Sequence, residues 1–343
     1  MYNPINLRNI LDIKKTIDLK AISILNQGFC NLYNIRKRNA LIDDIKYCNL
    51  IIKKKSLKRF FYYDCWAAHT FKYITFDNFK LQPNEPDIIG TSETIISLIK
   101  SYRILNDKQL KMMIFSACNF LKKYLYKDEK NRSYFTYHLT NNKIVINISA
   151  KAIEALSYSL LIKKDKKIID ICNKTIDFLI NIQNKDGSWD YSVYENKKIY
   201  KQYDFHQGFI LDGLISFIPY YNDENLLLEI IKKGSYFYKN KLFDEEGKSY
   251  YRHPIKYPID IHNQAQGIIT FHNLNKINVK YNSFENKIAD WTIKNMQNES
   301  GYFYHQKWPF LINKIPYLRW SQSWMFKALS LLYYRALGCL ENK

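Results

Sequence analysis

Apolar residues recur along the chain in paired segments that repeat every 56 or 57 residues. In each pair, the first segment is apolar around most of its circumference, and the second carries apolar residues at i, i+3, i+4 and i+7. The first segments begin near Ser92, Ser149, His206, His262 and Arg319, and the second segments cover 111–126, 168–182, 224–239 and 284–296. The pattern predicts helical hairpins in which the all-round apolar helix lies inside and the amphipathic helix lies outside.

A turn of one type follows the second segments. It is clearest at 183–189, which reads Gln-Asn-Lys-Asp-Gly-Ser-Trp, and it recurs with changes at 128–134, 244–250 and 297–303. Glycine adopts the positive φ that such a turn requires at little cost, and the aromatic residue that follows can hold the turn against the outer helix. We interpret the turns as structural, with Trp189 as a substrate-binding candidate if its loop faces a cleft.

The N-terminal part lacks the turn, although residues 7–25 and 40–57 have helical periodicity. Repeats alone fit a closed ring or an open solenoid, and the small number of units favours the ring. We therefore predict an all-α fold, an α/α toroid of helical hairpins with a repeat of about 57 residues. It forms one domain, 1–343, in which 1–60 close the ring against the last inner helix and 61–343 supply the repeat hairpins.

Composition narrows the function only slightly. The net charge is +20, from 52 Lys and Arg against 32 Asp and Glu, which indicates either codon bias or attraction to an acidic partner. The usual nucleic-acid-binding motifs are absent, so we predict no such partner. The six cysteines are widely spaced, which suggests buried thiols. The chain has neither an apolar signal core nor 18 consecutive apolar residues, and this predicts a cytoplasmic protein without a transmembrane segment.

The repeat itself predicts where a ligand binds. Equivalent inner-helix N-termini converge at one end of a ring and carry partial positive charge. Two repeats begin with the same triplet, Asp204-Phe-His206 and Asp260-Ile-His262. Histidine serves as an acid or base near neutral pH, and a neighbouring Asp fixes its tautomer, although Asp is also a common N-cap. With Glu93 at the start of the first repeat helix, these residues are the predicted catalytic set.

The last inner helix opens with Arg319, Trp320, Gln322 and Trp324, a polar and aromatic set unusual for a core. Arginine binds carboxylates in bidentate fashion, and tryptophan faces stack on rings. Further substrate-binding candidates are Gln264, Gln266, Arg252 and His253, which lie in the first turn of one repeat or in the loop before it. We predict no cofactor and no metal, because the Asp-x-His pairs lack a known zinc spacing.

Four segments resemble toroid proteins encoded in bacterial capsule, exopolysaccharide and O-antigen clusters: 86–91, 204–208, 260–266 and 317–325. The resemblance covers about residues 60–337 and implies a six-hairpin glycosidase-like or terpenoid-cyclase-like toroid. That superfamily includes glycoside hydrolases, polysaccharide lyases and uronyl epimerases. The 183–189 turn also resembles the Gln-Trp motif of triterpene cyclases, but their Asp-x-Asp-Asp motif is missing.

The function we expect is therefore an enzyme of bacterial surface-polysaccharide biosynthesis or processing. It would act on an anionic oligo- or polysaccharide in the central cleft by acid–base chemistry, as a lyase, epimerase or hydrolase. A lyase or epimerase would use the histidines with Arg319, whereas a hydrolase would need two of the carboxylates Glu93, Asp204 and Asp260. Two alternatives remain: a non-catalytic glycan-binding or assembly protein, and a prenyl or terpenoid-type cyclase.

Overall fold

The computed structural model describes residues 6–7, 10, 12, 16–69, 71–74, 80–129, 132–139, 143–194 and 199–341. The described helices are α1 (Leu19–Arg36), α2 (Asn39–Lys54), α3 (Lys58–Phe61), α4 (Ile88–Leu105), α5 (Lys108–Phe120), α6 (Ile146–Leu160), α7 (Lys166–Asn181), α8 (His206–Phe217), α9 (Glu224–Leu242), α10 (Ile261–Lys276), α11 (Phe284–Met296) and α12 (Ser323–Glu341). The described strands are short: β1 (Tyr73–Ile74), β2 (Lys80–Leu81), β3 (Tyr126–Glu129), β4 (Arg132–Phe135), β5 (Lys143–Val145), β6 (Ser192–Tyr194), β7 (Ile199–Tyr200), β8 (Ile259–Asp260), β9 (Gln306–Lys307) and β10 (Ile312–Asn313).

Six helices form a closed inner ring. Helices α1, α4, α6, α8, α10 and α12 each pack against the next, and α12 packs against α1. Helices α2, α5, α7, α9 and α11 pack outside on α1, α4, α6, α8 and α10 respectively. The fold is therefore an α/α toroid, as the repeat predicted. The division into 1–60 and 61–343 within one domain remains a prediction.

Small residues let the inner helices approach closely. A Cβ added at Gly213 of α8 would clash with the carbonyl oxygen of Ala150 on α6. At the junction of the ring, a Cβ at Gly28 of α1 would lie 2.5 Å from a ring carbon of Phe326 on α12. The glycines inside these helices lower helix propensity, but close interhelical packing requires them.

At the start of each inner helix from α4 onwards, one side chain fixes the preceding connection; it lies in the first turn of the helix or, before α12, in the π-helical turn Leu318–Gln322. The backbone N–H of Trp189 donates to Gln207 Oε1 at 2.9 Å, and Gln207 Nε2 donates back to the Trp189 carbonyl at 2.7 Å. The same position accepts a backbone N–H in the other four repeats, where it is occupied by Thr91, Ser149, Gln264 and Gln322. We call these five side chains the clamp residues. Because they satisfy buried backbone groups, they stabilise the fold.

The boundaries of most predicted helices agree with the structure to within a few residues, but the N-terminal prediction of a helix over 7–25 is wrong. The helix begins at Leu19, where Asp18 Oδ1 accepts the Ala21 N–H at 2.9 Å, and it continues to Arg36. Several residues of the predicted range lie outside the described residues. An Asp N-cap stops a helix from extending towards the N-terminus because its backbone is not helical. No described helix has the combination of length and apolar character that a membrane crossing needs.

The turns also match their prediction. Gly187, Gly247 and Gly301 have φ of +95°, +91° and +90°. Several connections that lead from an outer helix to the next inner helix pair with one another. They form two three-stranded antiparallel sheets, with strand orders β5–β6–β7 and β10–β9–β8. These connections surround the end of the ring at which the inner helices begin. We call this end the mouth.

Candidate active site at the mouth of the ring

His206 and Asp204 form a dyad at the start of α8. Asp204 Oδ1 lies 2.5 Å from His206 Nδ1 and also accepts the His206 backbone N–H at 3.1 Å. Gln202 Nε2 donates to the other carboxylate oxygen at 2.6 Å. Burial alone would raise the pKa of Asp204, but the His206 imidazole holds it below its usual value. Since Nδ1 is engaged by the carboxylate, Nε2 is the nitrogen of His206 that is left to exchange a proton.

His262 lies across the Phe205 ring from this dyad. The Phe205 ring stacks on both imidazoles. Its centroid lies 4.1 Å from the centroid of the His206 ring and 4.1 Å from the centroid of the His262 ring. His262 is 5% exposed, and its Nε2 has no hydrogen-bond partner among the described residues. Burial and the Lys20 ammonium lower the pKa of His262 well below its usual value. His262 is therefore a neutral imidazole at physiological pH.

Trp324 completes the aromatic wall beside His262, at 4.5 Å between ring centroids. Its ring is almost fully buried, and its Nε1 has no hydrogen-bond partner within the described part of the chain. Buried polar groups are normally paired. Trp324 Nε1 and His262 Nε2 are therefore two polar groups of neighbouring rings that are buried without a hydrogen-bond partner in the described part of the chain.

Lys20 of α1 is a member of the site that sequence analysis missed. Its Nζ lies 5.4 Å from the Trp324 ring centroid. Burial and the neighbouring Arg319 guanidinium lower the pKa of Lys20 to about 8. An amine with such a pKa can both carry positive charge and exchange a proton near neutral pH. The repeat could not reveal it, because α1 lacks the turn by which the other hairpins were aligned.

Arg319 lies in the π-helical turn before α12 and is anchored by backbone and side-chain contacts. Its Nη1 donates to the Ala68 carbonyl at 2.7 Å and lies 3.3 Å from Asp18 Oδ2. The guanidinium also lies against the His69 ring, with nitrogen–nitrogen distances of 3.1 and 3.2 Å. Burial and Arg319 lower the pKa of His69 to about 2, so this imidazole stays neutral. Sequence analysis found no signal for His69, which lies in an irregular connection.

Glu93, a predicted catalytic acid, lies fully buried among charged groups inside the ring. Lys151 Nζ contacts its Oε1 at 2.6 Å, Lys327 Nζ lies 3.8 Å from its Oε2, and Gln27 donates to Oε2 at 2.9 Å. Burial alone would raise the pKa of Glu93, but Lys151 and Lys327 lower it. The expectation of an available acid is therefore corrected, because the carboxylate is a counter-ion that joins three inner helices.

Three other predicted ligand-binding residues belong to the scaffold. Trp189 is fully buried and donates its Nε1–H to the Leu179 carbonyl at 2.9 Å. Gln264 and Gln322 are clamp residues, whose amides are engaged by the connections that precede them. We correct all three assignments, because polar groups committed to buried backbone partners are not free to bind a substrate.

Gln266 contributes to a second buried polar group rather than to the mouth. It donates to Asp212 Oδ2 at 2.6 Å and to the Thr270 hydroxyl at 2.9 Å, and Asn273 donates to Asp212 Oδ1 at 3.0 Å. Burial and the Glu154 carboxylate raise the pKa of Asp212 to about 7. Sequence analysis did not single out Asp212, since an Asp inside an apolar helix has no local signature.

The remaining candidates lie around the rim. Asp260 caps α10 through the His262 N–H at 2.9 Å, and its Oδ2 accepts from Gln306 at 2.7 Å. Trp320 is partly exposed beside Tyr317, with the Arg319 guanidinium 5.5 Å from its ring centroid. The other two rim candidates, Arg252 and His253, lie in the 243–260 connection, where the ring of His253 faces Phe237 of the outer helix α9.

The structure therefore places His206 and His262 on opposite faces of Phe205 and adds Trp324 beside His262, with Lys20 next to Trp324. Across the described ranges, no group of three or more His, Cys, Asp or Glu side chains is placed to hold a metal ion.

Comparison with solved structures gives long matches at low identity. The cellobiose 2-epimerase from Bacillus thermoamylovorans matches with a TM-score of 0.74 and 12% identity over 93% of this chain and 88% of that one. A GH76 α-mannanase from Bacteroides thetaiotaomicron matches with a TM-score of 0.71 and 14% identity over 95% and 88%. A D-mannose isomerase matches with a TM-score of 0.66 and 11% identity over 92% and 87%.

No protein-family model matches the sequence, and no curated protein sequence is similar to it. At this level of identity the structural matches establish the architecture, and they extend over almost the entire chain. The protein has the α/α-toroid fold of six-hairpin glycosidase-like proteins.

Proposed function

We propose that the protein is a carbohydrate-active enzyme that transfers a proton at a sugar carbon, as an epimerase or isomerase, with His206 and His262 as the acid–base pair. The observation that carries the proposal is the stack of both imidazoles on Phe205. It places one imidazole on each face of a single aromatic ring at the mouth. Similar toroids that are described as a cellobiose 2-epimerase and a D-mannose isomerase support this class of reaction.

The chemistry requires a base, an acid and a group that stabilises negative charge. In the open-chain sugar, His206 Nε2 would remove the proton from the carbon next to the carbonyl, and the electron pair would move onto the carbonyl oxygen to give an enediolate. Asp204 would stabilise the imidazolium that forms. The Lys20 ammonium would stabilise the oxyanion. For isomerisation, the His206 imidazolium would return its proton to the former carbonyl carbon, while a proton passes from the neighbouring hydroxyl to the former carbonyl oxygen. For epimerisation, the neutral His262 would relay a proton from a water molecule to the opposite face of the carbon, and the His206 imidazolium would neutralise the hydroxide that remains.

The carboxylates at the mouth do not fit hydrolysis as well. Glycoside hydrolysis needs two carboxyl groups across the scissile bond, whereas Asp204 and Asp260 both accept backbone N–H groups and glutamine side chains. An α-1,6-mannanase of this fold is inactive when two consecutive aspartates are replaced. In this chain the consecutive aspartates Asp43 and Asp44 lie exposed on the outer helix α2.

The site favours an anionic sugar. Lys20 lies 5.4 Å from the centroid of the Trp324 ring, which contacts His262, and the net charge of +20 attracts anionic ligands to the protein. The Arg319 guanidinium, which is engaged by the Ala68 carbonyl, Asp18 and His69, adds positive charge beside Lys20. A uronic acid of a bacterial surface polysaccharide would supply a carboxylate that the Lys20 ammonium attracts.

Solvent deuterium exchange tests the proposal and does not require the product to be identified first. The protein is incubated in deuterium oxide with uronic-acid and neutral oligosaccharides, and proton NMR follows the loss of signal at the carbon next to the carbonyl. We expect exchange with wild type and none with His206→Asn. A comparison variant is His253→Asn, at a predicted binding residue of the rim that faces an outer helix. It should retain exchange at saturating substrate, because a binding residue of the rim affects affinity and not the proton transfer.

Other outcomes identify the alternatives. New reducing ends without deuterium incorporation would show a hydrolase, and an unsaturated uronate would show a lyase. Saturable binding of an oligosaccharide with neither exchange nor cleavage would support the non-catalytic glycan-binding alternative. Exchange that persists at the wild-type rate in both His206→Asn and His262→Asn would contradict the assigned acid–base pair.

A further inference from the structure

Large apolar side chains are exposed on the connections that surround the mouth. Phe310 is fully exposed, and Leu311 beside it is 47% exposed. Further exposed apolar side chains on these connections are Phe60, Tyr62, Phe71, Ile199, Tyr200, Ile255, Tyr257 and Leu318. The described connections at the opposite end, 37–38, 106–107, 161–165, 218–223 and 277–283, are much shorter, and Leu161 is the exposed apolar side chain that they carry.

The connections that carry these side chains are joined laterally. Strand β8 pairs with β9, which pairs with β10, so the 243–260 connection is linked to the hairpin whose tip contains Phe310. An isolated bridge between Tyr203 and His253 links the same connection to the one before it, which carries Tyr200. The connections that carry Tyr200, Ile255 and Phe310 therefore form one continuous part of the rim. Isolated exposed apolar residues are ordinary, but several along one continuous surface mark an interaction site.

Exposed lysines stand next to the apolar tips. Phe71 is followed by Lys72, Tyr200 by Lys201, and Ile255 by Lys256, and all three lysines are exposed. The Phe310 hairpin is followed by the exposed Lys314. A bilayer that contains anionic lipids offers negative charge at its surface and hydrocarbon directly beneath. The exposed apolar side chains would match the hydrocarbon, and the lysines beside them would match the negatively charged surface.

From this juxtaposition, we propose that the mouth docks on an anionic lipid bilayer, with the apolar rim residues inserted at the interface and the adjacent lysines among the headgroups. A second copy of the chain is a poorer occupant, because apposed rims would place lysines opposite lysines in a protein of net charge +20. A rigid protein partner would need a separate pocket for each tip. The inference does not depend on the reaction that the enzyme performs.

Vesicle flotation tests the inference on the full-length protein. Wild type is mixed with vesicles of phosphatidylcholine alone and with vesicles of equimolar phosphatidylcholine and phosphatidylglycerol. We expect binding to the anionic vesicles, and about tenfold weaker binding for Phe310→Ser/Leu311→Ser, since two apolar side chains are removed. The matched control, Leu161→Ser/Tyr236→Ser, removes two exposed apolar side chains away from the mouth and should bind as wild type.

Insertion has a direct readout that a merely electrostatic contact would not give. In a Phe310→Trp variant, lipids brominated along the acyl chains should quench the fluorescence increment that the new indole contributes. Absence of binding to anionic vesicles would overturn the proposal, as would equal binding of the tip variant and wild type. A solution dimer that Phe310→Ser/Leu311→Ser dissociates, without vesicle binding, would assign the rim to a second copy instead.

Discussion

Lys151 joins two carboxylates in the interior of the ring, and its removal tests what holds the inner helices together. Its Nζ lies 2.6 Å from Glu93 Oε1 on α4 and 2.6 Å from Glu154 Oε2 on its own helix. The three side chains are 3%, 1% and 9% exposed. Burial alone would lower the pKa of Lys151, but the two carboxylates raise it. The ammonium is therefore charged at neutral pH.

The variant Lys151→Met keeps the volume and removes the charge. Breaking a buried ion pair by removal of one partner costs about 3–5 kcal/mol. We expect about 3 kcal/mol, the lower end of that range, because Glu93 would keep Lys327 at 3.8 Å and the Gln27 amide at 2.9 Å. Urea unfolding at neutral pH, followed by far-ultraviolet circular dichroism, measures the loss.

Two further measurements separate lost charge pairing from poor packing. In Lys151→Met the unpaired carboxylates should take up protons, so the deficit in free energy of unfolding should shrink as the pH falls. The triple variant Lys151→Met/Glu93→Gln/Glu154→Gln, which removes the charges together, should recover much of the loss. Unfolding of Lys151→Met within about 1 kcal/mol of wild type would refute the reasoning, since the ion pairs would then contribute no more than a surface pair.

Three other predictions follow from the structure. Gly213→Ala, whose Cβ would meet the Ala150 carbonyl, should lower the free energy of unfolding by about 1–3 kcal/mol in the same urea assay, and an unchanged value would contradict the close packing of α6 and α8. Burial raises the pKa of Asp212 to about 7, so the folded state binds an extra proton and the free energy of unfolding should fall as the pH rises from about 4 to about 7. Asp212→Asn should flatten this profile, and an identical slope in the variant would disprove the raised pKa of Asp212. His206→Asn should abolish deuterium exchange and leave the melting temperature near that of wild type. Gln207→Leu should lower the melting temperature, because it leaves the N–H and carbonyl of Trp189 without their hydrogen-bond partner. The reverse result would make His206 the scaffold residue and Gln207 the site residue.

The fold was predictable because its signals are local. Helical periodicity fixed α11 at 284–296 to the residue, and the glycines of the turns fixed where outer helices end. The first helix was the exception, since Gly28 in its middle obscured it. That glycine is explained only by the Phe326 ring of α12, a contact between residues almost the length of the chain apart. Local periodicity carries no information on such a contact.

The site was less predictable because residue type does not tell which partners a side chain will find. Gln264 and His262 lie in the same helical turn, yet the glutamine is committed to backbone groups and the imidazole Nε2 has no partner within the described residues. The lowered pKa of Lys20 comes from its burial and from the neighbouring Arg319. Neither can be predicted from the sequence of α1 alone. The candidate residues could be placed at one end of the ring, but their division between scaffold and site required the packed structure.

The two Asp-x-His triplets were selected mainly because they recur one repeat apart. In the structure, however, the two histidines do not occupy equivalent positions of the repeat. The residues that truly repeat are the clamp residues, and against that register the histidines are offset: His206 directly precedes its clamp residue Gln207, whereas His262 stands two positions before Gln264. One residue of offset turns a helical side chain by about 100°. The two imidazoles therefore approach Phe205 from different directions, and the proposed acid–base pair exists because the second triplet departs from the repeat. Lys20 and Trp324 have no counterparts in the other hairpins either. In this toroid the repeated positions build the ring, and the chemistry lies where one repeat differs from the next.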